Sequence, residues 1–469
     1  MDAQPLTLTR NERIAVWILG ILTVISRWPA VSRTLWDWDE ALFALALRDY
    51  DVTVHHPHPP GFPLFIALAK AIHAMTPLDE FHALRCIAVI ASLFVFPAMF
   101  FLARQLRMSA FVSMAAALLL AFFPNVWFFG GTALSDVPSL VLVLVASALL
   151  LRGNVIAGAI VLGIAAGFRP QNLLIGFVPM LVALRHQRRR AIVGGFIVAA
   201  ILAISYGGAA LNSGGWDAYR AALTKHEKYI RSVDSFLSPI RPGLIQVADD
   251  FFVRPYRAPL INIVITLLAA IGLLRLRRNA LLPLLIFGPF LLFAWLYLDF
   301  HSASRFSIGY MPLFALLAAN GIPSRGRAIT LSALMALLIV WTWPALRVAH
   351  RTMSPPVAAI EHIRATVDRR SHVIYVDERL AAHADLLLPD YERVNVRIAG
   401  PLVIDSRTVL LREGASAASG ARNFIRERDH LAAIARKRYF EVSIRFGLRQ
   451  PYVQPAEQPA PPAVPANSP

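Results

Sequence analysis

The chain has 469 residues, of which 57% are hydrophobic and only 16% are charged. A soluble globular protein carries roughly a quarter charged residues, so this composition excludes a disordered chain and argues against a single soluble core. The formal net charge of +17 would suggest nucleic acid in a soluble protein, but in a membrane protein loop charges that set orientation explain it first. We therefore expect a lipid bilayer as partner and no nucleic acid. The sequence contains one cysteine, which excludes an internal disulfide.

Apolar runs along the chain predict about 11 transmembrane helices, since a full span needs about 20 residues. The pair 155–167 and 171–184 is shorter and is broken by Gly167-Phe168-Arg169-Pro170, so we expect a hairpin whose tip lies in protein or headgroups. The predicted spans lie at about 14–30, 83–103, 109–129, 134–151, 155–167, 171–184, 191–211, 258–274, 280–298, 306–320 and 328–346.

Basic residues between these runs predict an orientation. With 11 spans they all share one side, which the positive-inside rule assigns to the cytoplasm. The sequence therefore predicts a multi-pass inner (cell) membrane protein with a cytoplasmic N terminus. The opposite, exterior or periplasmic side then receives 31–82, 212–257, 299–305 and everything after about 347.

Three regions follow from this pattern: a membrane module over 1–350, a small exterior α/β domain over 351–450, and a tail over 451–469. Helical patterning from Val357 to Arg369 and strand-like runs at 372–376 and 408–411 predict the α/β domain. The tail has seven prolines in 19 residues and is expected to be disordered. The predicted fold class is an all-α polytopic membrane protein with a small C-terminal α/β exterior domain.

The first exterior segment contains Trp36-Asp37-Trp38-Asp39-Glu40, followed by an apolar stretch that is too short to span. It suits a helix lying in the membrane plane, anchored by tryptophans. One interpretation is that Asp39 caps this helix and that the acids complement its dipole. The other is that Asp39 and Glu40 form an accessible carboxylate pair, able to take a proton or to hold a divalent cation.

A proline-rich segment, His55-His56-Pro57-His58-Pro59-Pro60-Gly61, precedes a second predicted in-plane helix over Phe62 to Ala74. It is either a rigid turn with interfacial histidines or a metal or phosphate contact. On the second interpretation His55 and His58, together with His301 in a later exterior loop, lie near the substrate or near a divalent metal bound by Asp39, Glu40 and His58.

Four further candidates stand at the ends of predicted spans or in exterior loops. Asp136, in Ser135-Asp136-Val137-Pro138, is either a helix cap or a functional acid. Arg169, in the hairpin tip, needs a partner or access to headgroups. Arg305 either snorkels at the interface or binds phosphate with its forked guanidinium, and Lys225 belongs to another exterior basic set.

Together these motifs resemble the type-C glycosyltransferases, specifically the protein O-mannosyltransferase and lipid A aminoarabinose transferase group. The likeness covers about residues 14–346. It rests on motifs that occur in matching order: Asp39-Glu40, His58-Pro59-Pro60-Gly61-Phe62-Pro63-Leu64, Leu134-Ser135-Asp136-Val137-Pro138, Gly167-Phe168-Arg169-Pro170-Gln171 and Ser304-Arg305-Phe306 running to Tyr310-Met311-Pro312.

The resemblance implies an enzyme that moves a sugar from a polyprenyl-phosphate carrier to a lipid, glycan or protein acceptor on the outer face, as in cell-envelope glycosylation. It implies that Asp39 is the catalytic acid residue, with Glu40 as the second letter of the pair and Asp136 as partner. The chain lacks the large exterior insertion of the protein mannosyltransferases.

The chemistry fits the residues independently of the family. Displacement of a lipid phosphate needs a carboxylate to accept the hydroxyl proton, and a cation to stabilise the phosphate. Asp39 supplies the carboxylate, and Arg305, Arg169, Lys225 or a divalent metal supplies the cation. A single displacement would invert the sugar carbon. The alternative from another class is a transporter or flippase of lipid-linked glycans, although the acids cluster in exterior loops rather than at the midplane.

Overall fold

The computed structural model describes residues 7–253, 255, 258–396, 403–404, 407–417, 420–425, 441–446 and 452–453. These residues form two compact units. The first ends at Thr352 and the second begins at Met353. The first unit is helical, and the second contains a small β-sheet.

The helices of the first unit begin and end close to the predicted apolar runs, with further helices in the predicted exterior segments. They are α1 Arg10–Ile25, α2 Trp38–Arg48, α3 Pro63–Met75, α4 Glu80–Leu93, α5 Val95–Gln105, α6 Ala110–Phe122, α7 Pro124–Phe129, α8 Asp136–Arg152, α9 Val155–Phe168, α10 Asn172–His186, α11 Arg188–Asn212, α12 Trp216–Val233, α13 Leu244–Ala248, α14 Pro259–Leu276, α15 Leu281–Tyr297, α16 Ala303–Phe306, α17 Met311–Gly321 and α18 Arg327–Arg351.

Membrane-spanning length is reached by fewer helices than predicted. In the described part of the chain four helical stretches are long and apolar enough to cross a membrane, or up to five if the bent pair α4–α5 is one span. The count of about 11 spans is therefore not confirmed, although each predicted run coincides with helix. Exposed apolar side chains on α1, α11 and α14 give these helices the outer surface typical of a bundle in lipid.

Proline breaks two of the predicted spans. The run 83–103 bends by 43° where α4 passes to α5, because Pro97 has no N–H for the carbonyl of Leu93 four residues earlier. The run 109–129 is divided where Pro124 starts α7, since proline suits the first turn of a helix and not its interior.

The two short helices in the predicted exterior segment are present. A capping box begins α2, with Asp37 as the N-cap. The next helix, α3, packs closely on α9. Gly167 on α9 has no side chain, and a Cβ at that position would clash with the Leu64 side chain on α3. Between α2 and α3, a short 3-10 helix, Val52–Val54, directly precedes the proline-rich segment.

The predicted hairpin is formed by α9 and α10, which are separated by residues 169–171. The side-chain amide of Asn172 donates to the carbonyl oxygen of Ala165 at 2.8 Å, across the break. The backbone N–H of Arg169 also donates to Ala165, at 2.9 Å. These bonds satisfy backbone groups that the interrupted helix would leave unpaired, and they fix the position of Arg169.

The second unit is a mixed α/β structure. Its sheet has the strand order β2-β1-β4-β6-β5, with β1 parallel to β2 and β4, and β6 antiparallel to β4 and β5. Its elements are α19 Pro355–Thr366, β1 Val373–Asp377, α20 Ala381–Leu387, β2 Arg393–Val396, β3 Val403–Ile404, β4 Thr408–Glu413, β5 Ala421–Ile425, β6 Glu441–Phe446 and β7 Tyr452–Val453.

The start of the predicted disordered tail is structured. Tyr452–Val453 pair antiparallel with Val403–Ile404, so a backbone ladder orders these two residues despite the neighbouring prolines. Residues 451 and 454–469 lie outside the described residues.

Candidate functional site

Arg305 joins three carboxylates that come from two distant segments. Its Nη1 donates to Asp39 Oδ2 at 2.6 Å and lies 3.4 Å from Asp37 Oδ1, while its Nε donates to Asp136 Oδ2 at 3.0 Å. Burial lowers the pKa of the guanidinium, but these three carboxylates outweigh burial and raise the pKa well above its usual value. The cation is therefore fixed between acids.

The segment that carries Arg305 is held by a buried amide. Asn125, at the start of α7, donates from its side-chain nitrogen to the carbonyl oxygen of Ser304 at 2.9 Å and to the Ser307 hydroxyl at 2.8 Å. Asn125 is fully buried, so these bonds cannot be replaced by water without cost. They hold the backbone before Arg305 and the Ser307 side chain after it.

A second cation meets the same acids. Arg169 forms an ion pair with Asp136 Oδ1, while Arg305 occupies the other oxygen of that carboxylate. Burial lowers the pKa of Arg169, and Asp136 partly offsets this. The Arg169 guanidinium also lies 5.8 Å from the centre of the Phe62 ring. Asp136 thus bridges two arginines.

Asp39 is the most accessible acid around Arg305. Its side chain is 20% exposed, against 10% for Asp37 and 5% for Asp136. Its second oxygen, Oδ1, lies 3.6 Å from Nδ1 of His58. A proton acceptor must be reached by the group that it deprotonates, and among the carboxylates that contact Arg305 this favours Asp39.

His58 forms one wall beside Asp39. Its ring stacks on Phe43 at 5.7 Å between ring centres, and it lies 6.1 Å from the ring of His226 on α12. Burial lowers the pKa of His58 to about 4, and the nearby Asp39 carboxylate only partly offsets this. His58 is therefore neutral near pH 7 and adds no charge to the cluster.

Glu40 points away from the arginines. Its Oε2 accepts from the backbone N–H of Trp36 and of Asp37, the latter at 2.7 Å, and its Oε1 accepts from the N–H of Ala133 at 2.7 Å. The side chain is fully buried, and burial raises its pKa to about 7 against these hydrogen bonds. These hydrogen bonds tie the start of α2 to the segment before α8.

Asp37 was not among the predicted site residues. One interpretation of the sequence was that Asp39 caps α2, but the N-cap is Asp37, whose Oδ1 accepts from the N–H of Asp39 at 3.0 Å. The sequence does contain a signal for this cap, since Asp37 and Glu40 have the spacing of a capping box. Because Asp37 makes the cap, the Asp39 side chain is left to face Arg305.

Three other predicted residues lie outside the arginine contacts described above. Lys225 is exposed on α12, where its charge helps to lower the pKa of His55, after burial. His55 is itself exposed and lies 6.4 Å from the ring of His226. His301 is exposed and packs against Phe300 with 4.0 Å between ring centres.

The described residues do not fit the predicted divalent metal. No group of three or more His, Cys, Asp or Glu side chains in the described part of the chain could hold a metal ion. Both oxygens of Glu40 accept backbone hydrogen bonds, and Arg305 occupies Asp39 Oδ2. The divalent cation stays a prediction, and no step below depends on it.

A small cavity adjoins the ion pairs. Its volume is about 20 Å³, which is room for roughly one water molecule. It is lined by Asp136, Arg169, Arg305 and apolar side chains such as Phe290 and Phe306. A sugar does not fit there, so a substrate would approach from the more exposed Asp39 side.

Two solved structures resemble this chain. One is the crystal structure of the Archaeoglobus fulgidus oligosaccharyltransferase tethered with an acceptor peptide, with 10% identity and a TM-score of 0.52. The match covers 81% of this chain and 63% of that chain, so the present chain spans under two thirds of its length. The other is ArnT from Cupriavidus metallidurans bound to undecaprenyl phosphate, with 10% identity, a TM-score of 0.51, and coverage of 92% of this chain and 97% of that chain.

These likenesses show that the chain has the fold of these two proteins, which agrees with the fold implied by the resemblance of the sequence motifs to type-C glycosyltransferases. No protein-family model and no curated protein matches the sequence.

Proposed function

We propose that this protein is a membrane glycosyltransferase that moves a sugar from a polyprenyl-phosphate carrier to a hydroxyl acceptor. One observation carries the proposal. Asp39, Asp136 and Arg305 meet in one cluster of hydrogen bonds although they lie on three separate helices. A partly exposed carboxylate beside a buried cation supplies both groups that displacement of a phosphate requires.

Asp39 is assigned the role of general base. It takes the proton of the acceptor hydroxyl as the acceptor oxygen forms its bond to the anomeric carbon of the sugar. The bond from that carbon to the phosphate oxygen breaks, and its electron pair leaves with the polyprenyl phosphate. A single displacement of this kind inverts the anomeric carbon. The similarity to ArnT bound to undecaprenyl phosphate supports a lipid phosphate as the donor class.

Arg305 is assigned the role of binding the leaving phosphate. When Asp39 becomes protonated, Arg305 loses one negative partner just as the phosphate gains negative charge. The guanidinium can then exchange one anion for the other without a net loss of electrostatic stabilisation. Its Nη2 makes no hydrogen bond within the described residues, which leaves a donor for a phosphate oxygen.

Asp136, Arg169 and Glu40 are assigned positioning roles. Asp136 orients Arg305 and is itself held by Arg169. Glu40 fixes the start of α2 through backbone bonds. Such supporting contacts keep a base and a cation within the narrow geometry that catalysis needs.

The proposed orientation follows the charge pattern: the site faces the exterior side, which is periplasmic in an inner membrane. The acceptor is a lipid, a glycan or a protein that carries a free hydroxyl group. His55, His58 and Lys225 are proposed to lie near the bound substrate, because His226 on α12 contacts both histidines and Lys225 neighbours it.

The test uses purified protein and a panel of synthetic polyprenyl-phosphate hexoses and pentoses. Release of polyprenyl phosphate and of inverted sugar is measured, with water as the acceptor where no better one is present. At least one donor should be cleaved. A protein in liposomes that moves such lipids between leaflets and leaves the sugar–phosphate bond intact would contradict the proposal and favour a transporter or flippase.

A further inference from the structure

A second and larger cavity lies between the segment after α1 and the last turns of α18. Its volume is about 700 Å³. None of its lining residues lines the small cavity beside Arg305. Apart from one proline, the lining residues are aromatic or basic: Trp28, Arg33, Trp343, Arg347, His350 and Arg351.

Helical spacing brings the groups from α18 together. Trp343, Arg347 and Arg351 stand at four-residue intervals, which places them above one another on one face of the helix. This face carries two guanidiniums beside an indole ring that is 45% exposed. None of the described residues that line the cavity is acidic, and the basic side chains give this wall a positive charge.

Hydrogen bonds fix the opposite side of this cavity. Arg33 donates through its backbone N–H to the carbonyl oxygen of Ala349 at 2.8 Å, and through Nη1 to the carbonyl oxygen of Arg351 at 3.0 Å. The Nδ1–H of His350 donates to the carbonyl oxygen of Val31 at 2.8 Å, because a carbonyl can only accept. These bonds set the Arg33 guanidinium beside those of α18.

The surroundings favour a lipid over a small soluble anion. Trp28 is 74% exposed, and exposed tryptophans are typical of the level of the lipid headgroups. The preceding helix α1 exposes an apolar face that includes Ile21 and Ile25. That face continues from the cavity and would contact acyl chains, whereas arginines bind phosphate in forked geometry. Basic pockets between membrane helices bind anionic headgroups elsewhere.

We propose that this cavity binds the phosphate of an anionic membrane lipid. Arg33, Arg347 and Arg351 hold the headgroup, and the acyl chains lie along the exposed face of α1. The site is separate from the residues assigned to sugar transfer, and its test does not depend on transfer.

The experiment compares the full-length protein with two double variants in detergent. Binding of phosphatidylglycerol and of phosphatidylcholine is measured by native mass spectrometry, with inorganic phosphate at about 10 mM as a competitor. The test variant is R347A/R351A. The matched control is R325A/R327A, which removes two arginines at or just before the opposite end of α18.

The parent should bind phosphatidylglycerol preferentially, and R347A/R351A should weaken that binding by roughly 30-fold, as expected for two arginines near a lipid headgroup. The R325A/R327A control should change phosphatidylglycerol binding by less than about threefold. An equal loss in both double variants would mean unspecific charge attraction and would overturn the proposal. Competition by inorganic phosphate without lipid preference would assign the cavity to free phosphate and would also overturn it.

Folding does not confound the comparison. The Arg351 contact to Arg33 uses the Arg351 backbone carbonyl, which alanine retains, and the Arg347 and Arg351 side chains are exposed. If R347A/R351A is nevertheless unstable, the single variant R347A is measured instead, with R325A as its control. An unchanged lipid preference in stable R347A would then contradict the proposal.

Discussion

Replacement of Asp39 by asparagine separates a base from a structural acid. Asparagine keeps the size of the side chain and its oxygen acceptor, but it removes the ability to take a proton. Because Asp37 rather than Asp39 caps α2, the helix start is untouched. Arg305 retains Asp136 and Asp37 as partners, so the cation stays paired.

The expected magnitudes differ for stability and for rate. The lost charge assists the 2.6 Å hydrogen bond to Arg305, and hydrogen bonds to charged groups contribute about 1.5–3 kcal/mol. We expect a loss at the lower end, because Asp39 is one-fifth exposed and asparagine still accepts. Loss of a positioned base should lower turnover by about 10²–10⁴.

Asp37→Asn is the matched control. It removes the same charge from the same cation, whose Nη1 lies 3.4 Å from Asp37, and asparagine caps helices about as well as aspartate. Cleavage of a polyprenyl-phosphate sugar by each purified variant is followed alongside thermal unfolding. The control should lose less than about tenfold in turnover.

Two results would refute the reasoning. Turnover of Asp39→Asn within about threefold of the parent would return Asp39 to a structural role. An equal loss in Asp37→Asn and Asp39→Asn would mean that the cluster needs charge rather than a base.

Three further predictions concern the neighbouring groups. Glu40→Gln should lower the free energy of unfolding by about 1–3 kcal/mol, because the amide leaves at least one backbone N–H without an acceptor, and thermal unfolding measures this. Burial raises the pKa of Glu40 to about 7, so between about pH 4.5 and 7 the folded state binds more protons than the unfolded state. The stability that Glu40 contributes is therefore present below about pH 4.5 and is lost as the pH rises through 7. Glu40→Gln should remove this pH dependence of the free energy of unfolding. Arg305→Lys should fold but lose at least about tenfold in turnover, since one ammonium cannot reach both Asp39 and Asp136 in fork geometry; parental turnover would contradict this. Burial lowers the pKa of His58 to about 4, so the stability that neutral His58 contributes is present above about pH 6.5 and is lost as the pH falls through 4. The free energy of unfolding of His58→Gln should therefore fall less steeply with pH over that range.

Local patterns were sufficient to predict most elements. The break at Gly167 to Pro170 predicts the division between α9 and α10, and the short strand-like runs at 372–376 and 408–411, which lie between polar segments, predict β1 and β4. These features depend on neighbours in the sequence. The prolines that break helices at positions 97 and 124 are also visible in the local sequence.

The partners of the buried charges could not be predicted in the same way. Arg305 lies 266 residues from Asp39 and 169 from Asp136, and no periodicity links such positions. The sequence alone allowed two interpretations of Arg305: snorkelling at the interface or phosphate binding. Snorkelling is wrong, because it keeps the charged head in water, whereas Arg305 is 5% exposed. The phosphate role stays a prediction.

Burial of Arg305 among carboxylates changes what binding of a donor must involve. A cation already paired with Asp39 and Asp136 attracts an incoming phosphate less than a free cation does, and removing a partner from a buried pair is costly. In the proposed mechanism the donor phosphate would therefore share the guanidinium with Asp39 in the ground state. Transfer of a proton to Asp39 removes that competitor, so Arg305 binds the phosphate more strongly as the sugar–phosphate bond breaks. Stabilisation that is stronger in the transition state than in the ground state is what accelerates a reaction. If Asp39 and Arg305 act as proposed, their pairing would itself drive the reaction, and neither residue alone would be sufficient.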